Sequence, residues 1–362
     1  MIAEELAAWA TGPVTVPDAV RACATRHLVD GTGTALAAVR LGAAEPAVTV
    51  ARGLGGPAEA TIIGTDARVS APAAALANGT LVHALDFDDT HAGGLVHATA
   101  VVLPAALAVG QERAASGREV LDAAVVGYEV ACRVAAAAPH RFHARGLHAT
   151  MVAGVFSSAA VAARLYGLSP QQATAALGIA GSQAGGLLAF LGSAASTKQL
   201  HPGMASHAGV LAARLAAAGA TGPETVFDGP HGVFDALAGG QADPASIVAG
   251  LGSTWETERI GIKPYPRLPA EPRDRRRRGR GPGGPRLHRR RRRRDRGRRP
   301  PRLRVRRLRR LPRPHPPGVG VRREVLPALV RRRVRRRRLA RAGRVRARPA
   351  APPPRWRSSP RA

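Results

Sequence analysis

Between His83 and His97 the chain reads HALDFDDTHAGGLVH, which places three aspartates, one threonine and three histidines within fifteen residues. An unperturbed imidazole titrates near neutrality, and a neighbouring carboxylate or hydroxyl can orient it, so this stretch has the residue types for proton transfer. Not every member is expected to take part. Asp88 and Asp89 read as capping or solvated acids at a helix end, and His83 as a packed histidine on a helix face with its hydrogen bonds satisfied. His91, His140 and His143 carry no site assignment, whereas His201 and His207 gain interest from lying beside a lysine.

That lysine is Lys198, and with Lys263 it makes up the whole lysine content of the sequence. Surface lysines that serve solubility come in numbers; two among the first 266 residues do not form such a set, and both read as site cations. The Gly185-Gly186 pair is read as a turn or helix-packing device, because no GxxxxGK and no strand-anchored GxGxxG accompanies it. A nucleotide site is therefore not expected.

The elements that must position these groups are helical. Residues 3–10 and 17–42 have helical patterning, the second beginning at Pro17-Asp18, and further helices are expected at 78–85, 98–112, 117–137, 150–166, 170–181, 204–218 and 244–250. Ala60 to Gly64 reads as a short strand with 65–69 as its partner, and 253–266 as another strand. Gly181 to His207 reads as a Gly/Ser-rich loop that delivers Lys198, His201 and His207. The expected fold class is mainly α, with a core of small side chains.

Charge divides the chain in two. Residues 1–266 hold 15 Lys and Arg against 20 Asp and Glu, whereas residues 267–362 hold 40 Arg, no Lys and 4 acids. The first part is expected to be one globular domain and the second an Arg-rich, low-complexity, disordered tail, in which guanidinium repulsion and scarce large apolar side chains leave little to offset chain entropy. Cys23 and Cys132 are too few for a disulfide framework, a Cys-rich zinc site or a thiolate-held iron–sulfur cluster. The start, MIAEELAAWA, lacks the basic and apolar regions of a signal peptide, and no membrane span is expected, so the expected location is the cytoplasm.

Four segments, HALDFDDTHAGGLVH, RGLHATMVAGVF, STKQLHPGMASHAG and RIGIKPYP, follow one another in this order. Through them the sequence, over about residues 5–266, resembles the MmgE/PrpD family, which includes 2-methylcitrate dehydratases and cis-aconitate decarboxylases. The resemblance implies a large all-helical domain in a homodimeric lyase. Such a lyase eliminates water or carbon dioxide beside a carboxylate of a small di- or tricarboxylate, without a metal or other cofactor. It also implies the site: Asp86, Thr90, His97, His148, Lys198 and Lys263 match the family's pocket residues, and His201 adjoins them as a substrate-binding candidate. His97 and His148 suit proton transfer, Asp86 can poise a histidine, Thr90 can donate to a substrate oxygen, and the lysines can hold carboxylates. The histidine found close behind the second lysine in some decarboxylases falls at Leu268, so that role is vacant here.

After KPYP the family continues with a Cys or small residue and a Thr-His or Asn-His step that opens a smaller α+β lid. This chain departs from that pattern. Back-translated with common GC-rich codons and shifted by one base, Arg267 to Arg275 permits A-C-x-x-N-H-A-T directly after KPYP, so the tail reads as an out-of-frame product and the lid as missing. Catalysis is accordingly expected to be impaired. Two other functions compete. The D-x-D-D at 86–89 resembles the acidic motif of helical terpene cyclases, but nine Phe and Tyr and two Trp in 266 residues are too few for their aromatic walls. A non-catalytic protein whose Arg-rich tail holds nucleic acid or other polyanions through phosphate contacts is the alternative.

Overall fold

The computed structural model describes residues 1–193 and 195–264. The expectations for Leu268 and for the tail from residue 267 lie outside the described residues. Within them the chain is mainly α-helical, as its patterning predicts. It forms α1 (Ile2–Thr11), α2 (Asp18–Leu41) and α3 (Glu45–Gly53), then the strands β1 (Ala60–Thr61) and β2 (Arg68–Val69). Next come α4 (Ala71–His83), β3 (Thr90–His91), α5 (Thr99–Glu112), α6 (Gly117–Ala136), α7 (Arg141–Ala144) and α8 (Ala149–Tyr166). The order closes with α9 (Pro170–Gly181), α10 (Thr197–Ala217), α11 (Val233–Ala238) and β4 (Ile260–Gly261).

Local chemistry sets several of these boundaries. Ser116 accepts from the Glu119 amide at 3.3 Å while the Glu119 carboxylate accepts from the Ser116 amide at 2.7 Å, a reciprocal cap that starts α6. Ser169 and Gln172 repeat the arrangement at α9, where Pro170 supplies a first residue that needs no amide partner. Gly42 and Gly167 close α2 and α8 in the left-handed conformation.

Helix α8 is long and apolar enough to cross a membrane by composition, yet 78% of it is buried against its neighbours, which include α5, α6, α9 and α10. It is the central core helix. Alanine and valine dominate the buried set around it, and such short side chains let helices approach closely. The tightest approach joins α4 to α10: a Cβ on Gly79 would stand 2.7 Å from the Gly203 Cα. A Cβ on Gly203 would be driven into the Leu76 carbonyl. Backbone meets backbone there, and the crossing sets the C-terminal turn of α4 beside the first turns of α10.

Several readings of the sequence need correction, among them the helix expected at 244–250, where only the 3-10 turn Pro244–Ile247 forms. Lys198, His201 and His207 lie on a helix, not on a loop, because α10 begins at Thr197 and carries Pro202 inside it. Proline removes one amide donor and crowds the preceding carbonyls; burial of this face against α4 and α8 holds the helix across it. Residues 253–266 do not form a single strand: Glu256–Arg259 make a 3-10 turn, and only Ile260–Gly261 pair as β4. The helix expected at 78–85 begins earlier and ends at His83, and α3 was not anticipated.

A buried ion pair fixes the segment that leads to β4. Glu129, fully buried on α6, accepts from the Arg133 guanidinium at 3.0 Å, from the amides of Glu256 and Thr257 at 3.0 and 2.9 Å, and from the Thr257 hydroxyl at 2.8 Å. Arg133 in turn donates to the carbonyls of Ala249 and Thr254, each at 2.7 Å. His91 adds a contact of 2.8 Å to Glu256. Strand β4 then runs antiparallel to β3 with Thr90 opposite Gly261 and His91 opposite Ile260, which carries Lys263 back to the His83–His97 stretch.

Candidate active site

Helix α4 ends at His83, and the chain turns through Asp86, whose φ of +54° is left-handed and unusual outside glycine. The turn points the Asp86 carboxylate at both lysines. Lys198 Nζ donates to Asp86 Oδ1 at 2.7 Å, and Lys263 Nζ lies 3.4 Å from the same oxygen and 3.2 Å from the Asp86 carbonyl. Burial raises the Asp86 pKa, but the Lys198 hydrogen bond and the two ammonium charges outweigh it, and the carboxyl ends below its ordinary range. Lys263 is 2% exposed, whereas Lys198 and Asp86 remain partly open to solvent.

Behind these charges lie four imidazoles. The rings of His83 and His97 are 4.8 Å apart between centroids, those of His83 and His148 5.7 Å, and those of His97 and His148 6.0 Å; His201 stands 5.2 Å from His148. His97 Nδ1 lies 2.8 Å from the Asp89 carbonyl, which can only accept, so that nitrogen carries the proton and Nε2 carries the lone pair. Thr90 Oγ1 is 3.2 Å and Lys263 Nζ 3.4 Å from the same nitrogen. Burial, with help from the nearby charges of His83 and Lys263, brings the His97 pKa down to about 4 despite Asp88, and the ring is neutral near pH 7.

His148 caps the start of α8, its amide tied to the Gly186 carbonyl at 2.7 Å, and its Nδ1 faces His201 Nδ1 at 3.1 Å. One of the two must donate and the other accept. Burial pushes the His148 pKa well below the usual imidazole value, and neighbouring histidines and Lys198 push the same way. His201 falls to about 4, from burial and then from His83. Phe190 forms an aromatic wall, 6.2 Å from His148 and 5.8 Å from His201 between ring centres.

All seven site residues expected from the sequence therefore come together: Asp86, Thr90, His97, His148, Lys198, His201 and Lys263. Two residues set aside as structural join them. His83 donates from Nδ1 to Asp88 at 2.7 Å, with both side chains fully buried, and His83 Nε2 has no hydrogen-bond partner among the described residues. The expectation of a satisfied histidine beside a solvated acid is thus overturned. Burial raises the Asp88 pKa, but His83 and His97 outweigh it and bring the carboxyl to about 2. The five-residue spacing of His83 and Asp88 across the C-terminus of α4 did not single out the pair, because its role depends on the burial of both side chains.

Asp89 is buried as well and does cap a helix: it accepts from the Thr99 amide at 3.0 Å and from the Thr99 hydroxyl at the start of α5. The Tyr128 hydroxyl completes that chain by donating to Thr99 Oγ1 at 2.7 Å. Several other histidines serve packing. His91 binds Glu256, and His207 donates to the Pro72 carbonyl at 2.9 Å, joining α10 to α4. His143 lies 6.3 Å from His148 between ring centres and stays behind it, and His140 is exposed in a left-handed turn.

The MmgE/PrpD N-terminal domain matches residues 4–245. The chain belongs to the MmgE/PrpD family. A cis-aconitate decarboxylase-like protein of Aspergillus oryzae, oryM, is 31% identical over 278 residues, covering 72% of this chain and 58% of that protein. A cis-aconitate decarboxylase of Aspergillus terreus is 30% identical over 73% of this chain and 56% of its own length. The Homo sapiens cis-aconitate decarboxylase is 39% identical over 173 residues, 45% of this chain and 34% of that protein. This MmgE/PrpD chain thus spans little more than half the length of the fungal relatives it matches.

Proposed function

We propose that this chain carries the polycarboxylate site of a metal-independent lyase of the cis-aconitate decarboxylase type, within a cytoplasmic homodimer, and that its turnover is impaired. The convergence of Lys198 and Lys263 on one carboxylate, in front of two buried neutral imidazoles, is the observation that carries the reading. Asp86 holds the two ammonium groups where a substrate carboxylate would take its place. Substrate carboxylates then meet two cations, of which the buried Lys263 is desolvated and attracts more strongly than in water.

In decarboxylation the C–C bond to a carboxylate breaks and its electron pair remains on carbon. A proton that the imidazole pair of His97 and His148 takes up from water at a free ring nitrogen and passes to that carbon then completes the product. The same groups suit the dehydration of 2-methylcitrate, where an imidazole takes a proton from carbon and an acid protonates the departing hydroxyl. Relatives named cis-aconitate decarboxylase favour the first reaction. The proposed impairment is supported by the sequence after Pro266, which does not continue the family pattern that opens a water-excluding lid.

Calorimetry with cis-aconitate and 2-methylcitrate, together with product assays, tests the proposal against a Lys198→Ala control. One binding event per chain that the control loses, with turnover no higher than the control, is expected. Absence of binding refutes the site, and robust turnover that the control abolishes refutes the impairment while supporting the site. The 40 arginines after residue 266 favour a second property, salt-dependent retention of RNA or other polyanions. Deletion after Pro266 should remove that property and leave polycarboxylate binding intact.

A further inference from the structure

We infer that His83, His97 and His148 form a binding site for a divalent ion of the zinc class, and that such an ion is an inhibitor of the polycarboxylate pocket. The inhibitory part rests on the function proposed above, because His97 and His148 belong to both sites. The ion-binding part stands on geometry alone. One nitrogen from each of the three imidazoles lies within 4.8 Å of the other two, and each residue is at most 3% exposed.

Nδ1 of each ring is already engaged. Nδ1 of His83 meets the Asp88 carboxylate at 2.7 Å, Nδ1 of His97 the Asp89 carbonyl at 2.8 Å, and Nδ1 of His148 meets His201 at 3.1 Å. Carboxylates and backbone carbonyls on the far nitrogen are what orient histidines that ligate metals and raise their basicity. They leave Nε2 of His83 and His97 as lone-pair donors, and His201 sets His148 the same way when it accepts from Nδ1.

Two atoms remain without partners in this setting. His83 Nε2 and Asp88 Oδ1 are fully buried and find no hydrogen bond among the described residues. A buried polar atom left unpaired costs stability unless a ligand satisfies it. Three carboxylates, Asp86, Asp88 and Asp89, outnumber the two ammonium groups of Lys198 and Lys263 around the cluster, so a cation is electrostatically compensated. Lys263 stands off the already occupied Nδ1 of His97, not its free nitrogen.

Imidazole donors select zinc, copper, nickel or cobalt over magnesium and calcium, which take oxygen ligands. A zinc–nitrogen bond of about 2.0–2.1 Å implies nitrogens roughly 3.4 Å apart, so binding contracts the cluster by at most about 1.4 Å and leaves a fourth position for water. A polycarboxylate that needs His97 and His148 as proton carriers then loses both lone pairs.

Cobalt(II) replaces zinc with a visible spectrum that reports coordination. Titrated into metal-free full-length chain, it should bind one equivalent with the intense bands of a four-coordinate site, and zinc should bleach them. His83→Asn should abolish the bands, His207→Asn should leave them, and Asp88→Asn should weaken cobalt affinity about 10- to 100-fold. Should His83→Asn fail to fold, the Asp88→Asn and His207→Asn pair still decides. Pale six-coordinate spectra, or bands indifferent to both His83→Asn and Asp88→Asn, overturn the site. Bands of the expected kind in a chain that never binds cis-aconitate uphold the ion site and sink the polycarboxylate reading instead. Where cis-aconitate does bind, an equivalent of zinc should weaken that binding at least tenfold, and an unchanged affinity overturns the inhibition.

Discussion

The ammonium of Lys198, on the first turn of α10, lies 2.7 Å from the Asp86 carboxylate, although 112 residues separate the two in the chain. Lys198→Ala removes one of two cations from the pocket and leaves Asp86 with Lys263. A hydrogen bond to a charged group contributes about 1.5–3 kcal/mol, so cis-aconitate affinity should fall roughly 10- to 100-fold. The pair is partly solvated, and the urea midpoint of the variant should hardly move.

Gly203→Ala should destabilise the fold through backbone crowding. Its new Cβ would overlap the Leu76 carbonyl, so α10 must retreat from α4. Overpacking of this kind costs about 1–3 kcal/mol, seen as a lower urea midpoint with an unchanged slope. Cis-aconitate binding should suffer as well, because the crossing aligns His83 with His201.

Glu129→Gln leaves the Arg133 guanidinium buried without its counter-charge and weakens the grip on Glu256 and Thr257. A loss of about 3–5 kcal/mol is expected. Hydrogen exchange should rise first at the amides of Glu256 and Thr257, and Lys263 should lose its register against Asp86.

Stability of the metal-free protein should fall as the pH drops below about 6.5, the ordinary imidazole value. His97 and His201 have folded pKa values of about 4, so between 6.5 and 4 the unfolded chain binds more protons than the folded one. Stability therefore rises with pH across that window, is fully present above it, and is lost as the pH falls through it. Each group adds up to about 1.4 kcal/mol per pH unit. Urea titrations at several pH values, repeated on His201→Gln, should show the slope reduced in the variant.

Sequencing of the gene and its transcript across codons 260–280 should reveal a one-base change that restores A-C-x-x-N-H-A-T after KPYP and an open frame beyond it. An unchanged frame in independent DNA would overturn the out-of-frame reading and bring polyanion binding by the Arg-rich segment forward.

Much of the fold is legible in the sequence because its helices announce their ends. Ser116 with Glu119, Ser169 with Pro170 and Gln172, and the terminal Gly167 are local signals, and the structure uses each as a cap or stop. Helix α10 was harder, since the Gly/Ser run before it and Pro202 within it both speak for a loop. The face buried against α4 decides otherwise, and that face is a tertiary fact. The lysines stood out by scarcity. His83 and Asp88 did not, because their role depends on burial of both groups at one helix end, and no pattern of residue types reports that.

The pairing of β3 with β4 has a consequence for synthesis. Thr90 waits for Gly261, and the second ammonium arrives only with Lys263, so a pocket begun by the His83–His97 stretch and extended by α8 and α10 is completed only by a very late stretch of the described domain. During translation the helices can pack in order of their emergence, while the charge balance around Asp86 stays incomplete until the ribosome has read well past codon 263. Throughout that interval the nascent chain would display a carboxylate and a set of neutral imidazoles held by one lysine. A decoding slip just downstream of KPYP therefore comes too late to prevent the pocket from forming.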